Sequence, residues 1–186
     1  MATIDAGAAD ADAEAWAAAG RVQGELLAVK ASVYDPCGFR CSRPEAEPES
    51  ADYGAYAFTV DGARVRFRVG RTTPTKVGQF VTVWQRSAEG PIRPFDAADP
   101  VDLFVIGSRM GEHFGQFVFP RAVLRARGVV SVDGVGGKRG FRVYPPWVVT
   151  ENRQARAAQA WQVEHFLSIP ADGPIDTARS RALYRP

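Results

Sequence analysis

The sequence predicts a single α+β domain: a mixed, mainly antiparallel sheet flanked by an N-terminal and a C-terminal helix. Three observations predict it. Apolar residues recur at helical spacing toward both ends and alternate at strand spacing through the middle. Asp61-Gly62, Gly111 and the glycine-rich run 134–140 punctuate that middle with turn signals. Finally, 186 residues with 46% apolar and 24% charged content suit one globular domain with a real core.

The elements follow in order. Residues 1–12 are small and acidic and read as a disordered tail, leaving 13–170 as the folded domain. Trp16, Val22, Leu26, Val29 and Val33 mark a helix from about Ala13 to Val33, weakened by Gly20 and Gly24. "DPCGFRCSRPEAEPESADYG" is rich in prolines and turn formers and reads as a long surface loop. "AYAFTV" and "ARVRFRVG" flank Asp61-Gly62, a two-residue hairpin signal. "VGQFVTVWQR" is a third strand, and "VDLFVIGSRM" with "FGQFVFP" makes two more around Gly111. Pro120 sits where a helix starts and Gly128 where one stops. "VVSVDGVGGKRGFRVYPP" gives a further strand pair, and Thr150 caps a helix running to about Leu167. Residues 171–186 read as a loosely ordered tail.

The net charge of +2 hides an asymmetry. Residues 1–61 hold eleven acids and four bases; residues 62–186 hold ten acids and nineteen bases. A basic body suits either a solvated surface or an anionic partner, nucleic acid first. Lys30, Lys76 and Lys138 are the only lysines beside twenty arginines. Cys37 and Cys41 are too few for a zinc site and are not spaced as a CxxC redox pair, so reduced thiols in a cytoplasmic protein are expected. No apolar run is long enough for a membrane span, and the acidic N-terminus is not built like a secretory signal.

Alternation puts Val65, Phe67 and Val69 on the core face of their strand and Arg64, Arg66 and Arg68 together on the other. Arg71 and Lys76 follow close behind. Three guanidinium groups in a row need negative partners. Two kinds fit: the upstream acids Glu45, Glu47, Glu49 and Asp52, or a phosphate backbone. "GVGGKRG" fails both the P-loop and the dinucleotide patterns, leaving a tight turn that exposes Lys138 and Arg139, or a looser phosphate cradle. "FRVYPPW" adds Arg142, Tyr144 and Trp147, bases and aromatics of the kind that line single-strand surfaces, although Trp147 reads as packed. His113 and His165 have no nucleophile tied to them and read as structural. A metal-dependent nuclease would draw on Glu49, Asp52, Asp102 and Lys76 around magnesium, but the tight acid-x-lysine strand signature is missing.

Taken together, "ESADYGAYAF", "FRVGRTTPTKVGQFVTVWQR", "GPIRPFD", "FGQFVFP", "GGKRGFRVYPPW" and the closing "TEN…W" resemble the MepB family of small bacterial proteins, from about Glu49 to Phe166. The resemblance implies a restriction-endonuclease-like fold that binds nucleic acid without an established catalytic activity. It covers Tyr53, Gly54, Arg68, Pro74, Lys76, Gln79, Lys138, Arg139, Arg142 and Trp147. The leading expectation is a cytoplasmic protein without cofactor that binds DNA or RNA with low sequence specificity through a basic sheet face. Arg64, Arg66, Arg68, Arg71, Lys76, Lys138, Arg139 and Arg142 would be its contacts. The alternatives are the magnesium nuclease and a regulatory interaction module whose acidic head shields its basic body.

Overall fold

A computed structural model of the chain describes residue 16, residues 22–86 and residues 90–185. The acidic tail expected over residues 1–12 lies outside these, as does most of the helix expected before Val22. Helix α1 (Gly24–Val29) starts at Gly24 and winds through a π-helical stretch (Lys30–Tyr34) into α2 (Asp35–Cys37). It therefore outruns the expected end at Val33.

The main sheet has six strands in the order β1 (Glu45–Ala46), β2 (Tyr56–Val60), β3 (Ala63–Val69), β8 (Leu103–Met110), β9 (His113–Pro120) and β11 (Phe166–Ser168). All neighbours are antiparallel except β3 and β8, so the sheet is mixed, as expected. Asp61 and Gly62 both take positive φ, the type I′ turn that matches strand twist between β2 and β3. The parallel β3–β8 step needs a crossover. That crossover carries β4 (Arg71–Thr73), β5 (Lys76–Thr82), β6 (Trp84–Arg86) and β7 (Ile92–Pro94). There β6 and β7 pair as a two-stranded ribbon, while β5 is sandwiched between β4 and the distant β10 (Gly140–Val143) in a second, three-stranded sheet.

Two cores result. On one face of the main sheet Leu26, Val29 and Tyr34 pack with Phe58, Phe67, Val105 and Val118. On the other, Val81, Phe95, Leu124 and Val143 pack with Phe104, Ile106, Phe117 and Phe119. A buried polar joint ties the layers: Gln79 Nε2 donates to Arg109 O at 2.9 Å, and its Oε1 accepts from Ser108 Oγ. Helices α3 (Arg121–Ala126) and α4 (Arg153–Gln162) belong to the second-sheet side.

Several boundaries differ from expectation. The long "surface loop" contains buried Phe39 and Cys41, the strand β1, and a 3₁₀ helix (Pro48–Tyr53). Cys37 and Cys41 are buried free thiols. The third expected strand breaks at Val83 and serves two different sheets. In the glycine-rich pair only Gly140–Val143 is a strand; its partner is β5 rather than the residues just before it. The last long helix is capped by Asn152 and ends at Gln162. Phe166 and Leu167 lie in β11 because strand alternation delivers one to each core, which a helix could not do. The tail expected to be loose instead forms α5 (Thr177–Tyr184). Its buried Tyr184 hydroxyl lies 3.0 Å from Tyr34 Oη and accepts from Gln116 Nε2 at 2.9 Å. Among the described residues no helix is long and apolar enough to cross a membrane.

Candidate functional site

The arginine row keeps its predicted alternation, but it does not form an open basic face. Arg64 makes a two-pronged bond to Asp102, with Nε and Nη2 each 2.8 Å from a carboxylate oxygen. Arg66 and Arg68 share Glu47, at 3.5 and 2.5 Å. Arg68 is only 1% exposed, because the second sheet layer covers that side of β3. It also donates to Phe67 O at 2.9 Å. Burial lowers its affinity for a proton, and Glu47 opposes that shift. A guanidinium so enclosed cannot reach a phosphate, which corrects the expected contact role of Arg68. Glu47 is the upstream acid that the row required.

The carboxylate set is not assembled either. Asp102 sits beside Arg64 at the start of β3, whereas Asp52 O accepts from Arg71 Nε at 2.8 Å beyond its far end. At about 3.3 Å per residue, β3 puts about 20 Å of strand between its two ends. Glu49 is exposed on the same 3₁₀ helix as Asp52, and Lys76 opens β5. Among the described residues no three His, Cys, Asp or Glu side chains are grouped to hold a metal ion. The convergence of Glu49, Asp52, Asp102 and Lys76 that the nuclease alternative would require is not seen in that geometry.

The bases that do come together lie on the second layer. A cleft of about 870 Å³ opens between β5–β10 and α4. Lys76, Lys138 and Arg142 line it, joined by Arg127 from the end of α3. Phe80, Phe141, Tyr144 and Trp161 supply aromatic walls. Glu151 is the one acid among the lining residues. Local chemistry sets each position. Gln162, itself buried, accepts from Tyr144 N at 2.8 Å and donates to Arg142 O at 2.9 Å, which fastens α4 along the free edge of β10. Arg142 Nη2 donates to Thr73 Oγ1 at 2.6 Å, and Nη1 faces the carbonyls of Lys76, Val77 and Gly78 at 3.3–3.4 Å. The guanidinium thus braces the β4–β5 turn that presents Lys76. Arg127 lies over the Trp161 ring at 5.0 Å.

Lys138 is held by its backbone, whose N–H donates to Val129 O at 2.8 Å. The loop before it already contains an anion: Asp96 accepts from Gly134 N at 3.0 Å, Ser131 Oγ at 2.7 Å and Ala98 N at 3.0 Å. The glycine run is therefore a turn clamped by Asp96, and Arg139 projects exposed from its end. Among the described residues, Lys76, Arg127, Lys138 and Arg142 form no ion pair, in contrast to Arg64, Arg66 and Arg68.

Two carboxylates outside the cleft make the fold acid-sensitive. Hydrogen bonds from Ala98 N, then Gly134 N and Ser131, hold Asp96 down at about 2. The Arg64 side chain, chiefly, does the same for Asp102, also to about 2. Both folded values lie below the ordinary aspartate value near 4. Their stabilisation is therefore complete above about pH 4 and disappears as pH falls toward 2. Denaturant midpoints should drop over that window, and Asp96→Asn with Asp102→Asn should flatten the drop. An unchanged acid limb in the double variant would refute the assignment.

Sequence reading found Lys76, Lys138 and Arg142 but missed Arg127, Phe80 and Gln162. Nothing local marks them, since their segments meet only through long-range contacts such as the β5–β10 pairing and the Gln162 bonds to Arg142 and Tyr144. The comparisons converge on one group. The MepB-like family model matches residues 47–168. Among solved structures, the crystal structure of MepB superposes with a TM-score of 0.67 at 31% identity, covering 71% of this chain and 89% of that one. No curated protein matches.

Proposed function

The chain belongs to the MepB-like family, and from that footing we propose that it binds single-stranded nucleic acid in the cleft between β5–β10 and α4. The observation that carries this reading is the division of its cations. The sheet arginines are neutralised by Glu47 and Asp102, whereas Lys76, Arg127, Lys138 and Arg142 face the cleft without a carboxylate partner. Unpaired cations beside aromatic walls suit a strand whose phosphates are neutralised while its bases stack. Such contacts read little sequence, so selectivity among sequences should be low. Two free thiols fit a reducing compartment such as the cytoplasm.

Fluorescence anisotropy with a labelled oligonucleotide, repeated across salt concentrations, tests the reading. Four phosphate contacts predict a log–log slope of about −3 for a single strand. Lys76→Ala and Lys138→Ala should each weaken binding and flatten the slope by about 0.7. Arg64→Gln should change neither. Absence of binding at low salt would overturn the proposal, as would an Arg64→Gln loss equal to that of Lys76→Ala.

A further inference from the structure

A second, smaller pocket of about 250 Å³ abuts the cleft across the β4–β5 turn, and Lys76 and Val77 line both. Its character is different. Val77, Met110, Trp147, Val148 and Val149 supply its apolar wall. Six large apolar side chains are exposed among the described residues, and three of them, Val77, Met110 and Val149, ring this one pocket. That concentration marks a place where flat apolar surface is wanted. The floor is also fixed. Trp147 is stacked on His113 at 5.1 Å and meets Phe166 edge-on at 5.4 Å, which hold the indole in place.

Polar groups in its lining are few: the exposed Thr72 hydroxyl and the Trp147 Nε1–H, which has no hydrogen-bond partner among the described residues. Gln79 lines it, but its amide is already spent on Arg109 O and Ser108 Oγ. Lys76 stands at the boundary with the cleft. One boundary thus separates a site for anions from a site for a flat apolar group. A nucleotide in a strand has that chemistry, with a phosphate at one end and a heterocycle a sugar away.

We propose that this pocket is a base subsite: a strand held by its phosphates at Lys76 turns over the β4–β5 turn and lays one unpaired base against Trp147, Val77 and Met110. The inference rests on the reading of the cleft as a phosphate site. It adds the place where a base is received. A paired base is stacked inside its duplex and cannot enter, so the subsite selects single strands or frayed ends.

The test compares three probes: a short single-stranded oligonucleotide, a strand of equal length with abasic sugars, and inorganic polyphosphate. Each is titrated against the full chain and against Met110→Ser/Val149→Ser, two exposed positions where the fold tolerates a polar side chain. The wild-type chain should prefer the base-bearing strand over the abasic one by about tenfold, within the range for a base on an aromatic ring. The double variant should lose about fivefold or more of that preference while binding the abasic strand as before. Equal preference in variant and wild type would overturn the subsite and leave the cleft reading intact. Failure of all three probes to bind the wild-type chain would overturn both.

Discussion

Glu47→Gln is expected to destabilise the protein by about 3–5 kcal/mol, the range for a buried charge that loses its partner. The Arg68 side chain is 2% exposed and Glu47 only 14%, so water cannot replace the missing carboxylate. Arg66 worsens the loss, because it too leans on Glu47. The Nε atoms of both arginines are already buried without hydrogen-bond partners, which leaves no reserve. For a chain of this length the effect is on the order of 10 °C in melting temperature. Arg68→Met in the Glu47→Gln background should recover most of it, since exchanging a buried pair for apolar volume is often close to neutral. Denaturant midpoints with an unchanged m-value are the measurement. A Glu47→Gln chain within about 0.5 kcal/mol of wild type would show that the pair does not sustain the layer contact. Below its transition the variant should bind a strand with the same salt slope, because the row lies outside the cleft.

The second large effect is Gly78→Ala. Gly78 adopts φ +79°, and a Cβ there would meet Tyr144 Cδ1 at 2.6 Å and Val143 O at 2.7 Å. The carbonyl belongs to β10, whose Val143 is in register with Gln79, so it cannot swing away. Left-handed strain and overpacking together should cost roughly 2–4 kcal/mol. Gly62→Ala separates the two causes: φ is +86° there, but nothing lies within 4 Å of the added carbon. It should cost about 1 kcal/mol. If the two variants melt alike, close packing of Tyr144 on Gly78 is not what holds β5 to β10. Gly78→Ala should also weaken strand binding, because Lys76 lies two residues away on the same strand.

What could be read beforehand followed the range of each signal. The β2–β3 hairpin was legible because Asp61-Gly62 specifies its own turn, and β8–β9 because short apolar runs flank Gly111 on both sides. Helix α5 was not, since only Leu183, Tyr184 and Ser180 are buried in an otherwise polar segment. Its anchor is a hydroxyl contact to Tyr34, 150 residues away. The arginine row illustrates the same limit. Alternation correctly grouped Arg64, Arg66 and Arg68 on one face, but it carries no information about what covers that face. The second sheet covers it, and its strands come from the β3–β8 crossover and from β10. Lys76 and Lys138 stood out through scarcity, and they line one cleft. Arg127 is one of twenty arginines and had no such mark.

The parallel β3–β8 step has a consequence for how the cleft exists at all. Its walls come from the crossover, from the run between α3 and β10, and from α4, with the β8–β9 hairpin interposed in the chain. No contiguous peptide carries the cleft, so fragment libraries and loop grafts would not reproduce the surface that the folded chain presents there. Its parts meet only through long-range pairing, the slowest kind to close. The cleft is thus a property of the finished molecule and has no address in any one segment.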